Sequence, residues 1–211
     1  MTKTVSVLPP LGQSSRLSTT DPAASHSACG QTRPEAGVSS SQIYHYFADK
    51  EALVRAVVDY RAQTVVGEIH EPMLAAIEDV DGLRAWRDKI VSIEEDAGCA
   101  GGCPLGSLGS ELAELDHEAR NDVAAGCSRW EAAIRACLQR MRDRGQLVPD
   151  ADPGQLAAAM LAALQGGLLL AQIERSVRPL AAALDVMISL TESLAPPGPR
   201  THRRGVGMGV T

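Results

Sequence analysis

Gly37-Val-Ser-Ser-Ser-Gln-Ile-Tyr-His-Tyr-Phe-Ala-Asp-Lys-Glu-Ala-Leu53 decides the reading of this chain. Four of its six aromatic residues, Tyr44, Tyr46, Phe47 and Tyr60, lie in this stretch or in the helix that follows. Gly37 supplies the positive φ of a tight turn. Ser39 then stands where an N-cap is wanted, with Gln42 three residues on to complete a capping box and Val38 and Ile43 placed as a hydrophobic staple. A short helix from about Ser40 to Phe47 follows. On it Ile43 and Phe47, one turn apart, face inward, while Ser41 and His45 lie opposite with Gln42 and Tyr44 on the flanks. The outward face is made of hydrogen-bonding groups. That is the chemistry of a helix entering a DNA major groove, where amides and hydroxyls read base edges and Tyr, His or Lys touch phosphates.

The segment resembles the second half of the helix-turn-helix in TetR-family transcriptional regulators, from Ala36-Gly-Val-Ser through Tyr-His-Tyr-Phe to Asp-Lys-Glu-Ala-Leu53. The resemblance implies that Ser40, Ser41 and Gln42 sit near bases. It implies further that Tyr44, His45 and Tyr46 lie against DNA backbone and neighbouring bases, and that Lys50 binds a phosphate beside the next helix's N-terminus. An ordinary polar surface helix is the competing reading, and the fixed spacing to Asp49-Lys50-Glu51 weighs against it.

The chain has 211 residues and a net charge of −6, against a generally nucleic-acid-coating protein. The acid is unevenly placed: up to Val66 there are six Lys and Arg against five Asp and Glu, leaving 14 against 21 for the remainder. Local DNA contact by one end of the molecule fits that distribution. No run of eighteen apolar residues and no signal-peptide pattern occurs, so a cytoplasmic protein with no membrane partner is expected. The odd number of cysteines, Cys29, Cys99, Cys103, Cys127 and Cys137, points to reduced thiols.

Residues 1–35 depart from the family. Pro9, Pro10, Pro22 and Pro34 punctuate Ser- and Thr-rich sequence without an apolar 3.6-residue period, and the stretch reads as disordered. Family-like sequence begins in mid-motif at about Glu35, as a shifted reading frame or a wrongly chosen start would produce. Without two supporting helices the recognition helix is too short to be stable alone, so weak or absent operator binding is expected of the chain as written.

From Asp49 the pattern is helical almost to Leu194. Leu53, Val54, Val57, Val58, Val65 and Ile69 predict a long helix that Pro72 ends or kinks. Leu83, Trp86, Ile90 and Ile93 form a second stripe, broken by the glycines of 98–104. Val123, Cys127, Trp130, Ile134, Cys137 or Leu138, and Met141 mark a further helix stopped by Gly145 and Pro149. Asp152-Pro153 starts a helix from Gln155 to Glu174 that is apolar almost all round and so must be buried, and Pro179 starts the last one. Leu156, Met160, Leu164 and Leu168 are expected to show one side of that apolar helix to a second subunit.

Gly102-Cys-Pro-Leu-Gly-Ser-Leu-Gly-Ser-Glu-Leu112, with Trp130 and Leu161-Ala-Ala-Leu-Gln-Gly-Gly-Leu-Leu-Leu170, resembles the effector domain of the TetR-family branch that represses drug-resistance and flavonoid-responsive genes. This resemblance implies an all-α fold: a helix-turn-helix remnant, then a helical effector-binding and dimerisation domain. The last two helices, Gln155 to Arg175 and Leu180 to Leu194, would pair across a twofold axis, and middle helices bearing Trp86, Leu105 and Trp130 would surround a hydrophobic effector. The expected divisions are 1–35, 36–71 (partial DNA-binding segment and connecting helix), 72–195 (effector-binding and dimerisation) and a disordered tail, 196–211.

Competing chemistry is thin. Cys99 and Cys103 lack the four ligands of structural zinc, His117 being the only other nearby candidate, and Ser107 and Ser110 do not form a nucleophile elbow. Neither an enzyme nor a cofactor is expected. Two function classes remain: a repressor released from operator DNA by a hydrophobic small molecule, and a dimeric ligand-binding protein that has lost DNA binding.

Overall fold

The computed structural model describes residues 45–112 and 117–196, every regular element among them a helix. They divide into two units at Val54 and Arg55. Within the first, His45 and Tyr46 end a helical turn. The Asp49 carboxylate then accepts a 2.6 Å hydrogen bond from the backbone N–H of Ala52, capping helix α1, Lys50–Ala62.

In the second unit α1 passes without a break into a π-helical stretch, Gln63–His70, and then α2, Glu71–Ala76. The backbone N–H of Glu71 bonds to the carbonyl of Val66, five residues back. Of the two sequence expectations for Pro72, an end or a kink, the end does not occur: the winding widens before it and the helix runs on. Pro72 lies in the first turn after the widened winding, and the chain turns extended only at Ile77. Helix α3, Val80–Asp96, starts on Asp79, whose side chain accepts from Gly82 N–H at 2.9 Å. Gly98, Gly101 and Gly102 take the positive φ values that separate α3 from α4, Pro104–Leu112.

Helix α5, His117–Asp143, is the central column, packed against the π stretch, α2, α4 and α6. Of the stripe foretold by spacing, Val123, Trp130, Ile134, Cys137, Leu138 and Met141 are buried, and Cys127 is only half-buried. Helix α6, Pro153–Glu174, is capped by Asp152 through the N–H groups of Gly154 and Gln155, and lies between α5 and α7, Arg178–Ser193. The α6–α7 approach is close: a Cβ on Gly167 would stand 2.8 Å from Leu180 Cα. Among the described residues α6 alone is long and apolar enough to cross a membrane, with a mean hydropathy of 1.8. Its packing between two helices accounts for that composition equally well.

One expectation is overturned here. Leu156, Met160, Leu164 and Leu168 are not presented outward; they are buried inside this chain. The outward apolar side chains are instead Leu169, Leu170 and Ile173 of α6, 56 %, 47 % and 67 % exposed, with Val186 and Leu190 of α7. A helix apolar all round carries no inward signal of its own, and contact with α5 and α7 chooses the side.

Candidate functional site

Of the residues expected at DNA, Ser40, Ser41, Gln42 and Tyr44 lie outside the described residues. His45 and Tyr46 are both exposed, their rings edge-on with centroids 5.3 Å apart. Phe47 is half-buried, and Lys50 is exposed as the first residue of α1. An ammonium at the positive end of a helix is a favourable place for an anion.

The two tryptophans expected near a ligand meet around a residue that sequence reasoning did not single out. His70, the last residue of the π stretch, is buried between them. Its Nδ1 accepts the Trp86 indole N–H at 3.3 Å, and its ring centroid lies 4.1 Å from that of Trp130. Burial pushes the His70 pKa down to about 4, so the imidazole is neutral at pH 7 and, with Nδ1 accepting, holds its proton on Nε2. Trp130 is fully buried, and its Nε1 has no hydrogen-bond partner among the described residues. The signal in the sequence was the step Ala62, Val66, His70, which puts a histidine on the buried face of an apolar stripe.

Leu105 is buried elsewhere along the same seam. A Cβ on Gly126 would meet Leu105 Cδ2 at 3.1 Å and the Ala62 Cβ at 3.2 Å, so these residues close together one turn before Trp130. Above them a cleft of about 490 Å³ opens between α1 and α5, lined by Val58, Ala62, Ala125 and Gly126 and edged by Arg55, Asp59, Asp122 and Arg129. Arg129 holds the Glu71 carboxylate with two bonds of 2.6 and 2.7 Å and Gln63 Oε1 at 2.9 Å, binding both ends of the π stretch. Gly67, midway, leaves room for it: a Cβ there would be 2.7 Å from the guanidinium.

Cys99, Cys103 and Cys137 are buried free thiols, and burial raises the Cys137 pKa to about 11. Cys103 Sγ accepts from Gly106 N–H and Gln165 Nε2, both at 3.4 Å. Among the described residues no three His, Cys, Asp or Glu side chains are placed to hold a metal ion.

The all-helical unit with an interior seam and an exposed motif ahead of it defines a class, and comparison with known proteins names it. Residues 34–57 match the family model for bacterial regulatory proteins of the tetR family, and residues 80–187 that for the tetracyclin repressor-like C-terminal domain. The transcriptional repressor DhaR of a Mycobacterium species is 26 % identical over 174 residues, covering 82 % of this chain and 84 % of that one. The repressor NemR of Escherichia coli is 26 % identical over 156 residues, covering 71 % and 75 %. Among solved structures, a TetR regulator of Chloroflexus aurantiacus superposes with a TM-score of 0.69 at 28 % identity, covering 80 % of this chain and 85 % of that one. A TetR regulatory protein of Rhodobacter sphaeroides gives 0.68 at 22 % identity, over 75 % and 85 %. The chain belongs to the TetR family of bacterial transcriptional regulators.

Proposed function

We propose that this protein is a dimeric repressor that leaves its operator when a hydrophobic small molecule occupies the seam bearing Trp86, Leu105 and Trp130. The observation that carries the reading is the continuity of α1. It begins at Lys50, beside the exposed His45 and Tyr46, and ends at Ala62, which with Val58 lines the cleft on α5. A ligand shifts DNA affinity only as far as it binds two conformations differently, and α1 carries residues of both places. In this reading Ser40, Ser41 and Gln42 sit near bases, Tyr44, His45 and Tyr46 lie against backbone and neighbouring bases, and Lys50 binds a phosphate. The exposed Leu169, Leu170, Ile173, Val186 and Leu190 face the second subunit, because several large apolar side chains left exposed on two packed helices favour an interface.

The Pro- and Ser-rich sequence before Ala36 favours the second reading, a dimeric ligand-binding protein without DNA binding. Selection of random duplexes on the purified full chain separates them. Enrichment of a pseudo-palindrome with half-sites about one helical turn or somewhat more apart is expected of the repressor. Failure to enrich any duplex removes it and leaves the alternative.

A further inference from the structure

A buried donor without a partner costs free energy, and native structures leave few of them. Trp130 presents one: the residue is fully buried and no acceptor among the described residues reaches its indole N–H. A second donor lies beside it. The Trp86 bond occupies Nδ1 of neutral His70, so Nε2–H is left to donate, although it is not enclosed and unpartnered as Trp130 Nε1 is. Both N–H groups belong to rings whose centroids are 4.1 Å apart, and Ala62, Val66, Leu105 and Ile134 are buried apolar side chains of α1, the π stretch, α4 and α5. An enclosed indole N–H without an acceptor, with an imidazole N–H beside it, selects for a ligand atom with lone pairs and no charge of its own. A carboxylate would bring a full charge into the core with no cation to meet it.

We propose that Trp130 Nε1–H and His70 Nε2–H are the polar anchor of the interior site, and that the site takes a small neutral molecule with a carbonyl or similar acceptor oxygen on an apolar body. This deepens the ligand-responsive reading given above and rests on it. The cleft over Ala62 and Gly126 is the mouth, Leu105 closes the seam behind it, and the acceptor oxygen docks one turn of α5 further in, at Trp130.

Two molecules of nearly the same shape isolate the oxygen: cyclohexanone, and methylenecyclohexane, in which a CH₂ replaces it. The chain has only two tryptophans, so the ¹⁵N–¹H spectrum of the full protein shows two indole signals, assigned by Trp86→Phe. Cyclohexanone is expected to move the Trp130 signal downfield, saturably, and methylenecyclohexane to leave it in place. His70→Phe, which keeps a ring in the stack but removes the donor, should weaken cyclohexanone binding at least fivefold. An indole signal that neither compound moves, or both move alike, overturns the proposal, as does a water cross-peak at Trp130 Nε1–H that persists with ketone present. Release from a selected duplex is measured in parallel. A shifted Trp130 signal without release leaves the anchor standing and removes the effector reading, whereas release with an unmoved signal does the reverse.

Discussion

Trp86 Nε1 donates to Nδ1 of His70, sixteen residues before it, and that bond fixes which nitrogen of a buried imidazole keeps its proton. It also ties α3 to the end of the π stretch at the centre of the helical unit. Burial disfavours the charged imidazolium, which is why the His70 pKa falls to about 4, and protonation would also break the bond to Trp86.

Stability should therefore depend on pH in a defined window. The unfolded imidazole titrates at 6.5 and the folded one at about 4, so as pH falls the unfolded state takes up its proton first. The contribution is complete above about pH 6.5 and is lost progressively as pH falls towards about 4, on the order of 3 kcal/mol in all. About 2 kcal/mol of it should be gone by pH 5. Urea unfolding at pH 7 and pH 5 checks this: His70→Phe should show a smaller loss between the two, and equal losses would mean the imidazole is not what titrates.

The two sides of α6 should answer differently to substitution. Leu164→Ala empties a fully buried position and should cost about 2–5 kcal/mol in urea unfolding. Leu169→Glu with Ile173→Glu alters exposed positions, and should yield helical, soluble monomers by sedimentation. A doubly substituted chain that still sediments as a dimer would move the interface off this face.

Gly167→Ala should be severe for a single methyl group. The added Cβ meets Leu180 Cα at 2.8 Å, and backbone cannot rotate away as a side-chain tip can, so α6 and α7 must separate. Overpacking of this kind costs about 1–3 kcal/mol, more than the helix propensity gained from replacing glycine. Thermal unfolding at or above the parent midpoint would contradict the contact.

At the DNA end, Lys50→Ala should weaken binding to all duplexes alike and lower the salt slope by roughly one ion. Gln42→Ala should instead alter preference at one base position by roughly 1–3 kcal/mol. Operator panels at two salt concentrations distinguish the two, and indistinguishable profiles would remove the case for base reading by Gln42.

Much of the helical unit was legible because its punctuation is local. Asp152-Pro153 announces a helix start by a side-chain cap and Pro179 by a proline in the first turn, and the inner stripe of α5 announces itself by spacing. Three features were not. The inward side of α6 depends on which neighbours it meets, since its own pattern is apolar all round. The π winding is bridged by Arg129, some sixty residues later, reaching across Gly67 to Gln63 and Glu71, so the sequence left open whether Pro72 ends or kinks the helix. His70 looked like one polar residue in a long helix, and its meaning came only from the two indoles that close on it. Trp86 and Trp130 were legible as candidates for the interior site, whereas the role of Leu105 at Gly126 needed the packing of α4 on α5.

Both tryptophans of the chain touch the same imidazole. The protein's natural fluorescence is thus a local gauge, reporting on a volume a few ångströms across at the inner end of the α1–α5 seam. Spectral changes on adding a compound speak for that volume directly, without a label and without a substitution. Events at Lys50 or at Ile173 will register in the same light only if they are transmitted to His70, so an experimenter can tell a conformational response from a contact by which of the three places was perturbed.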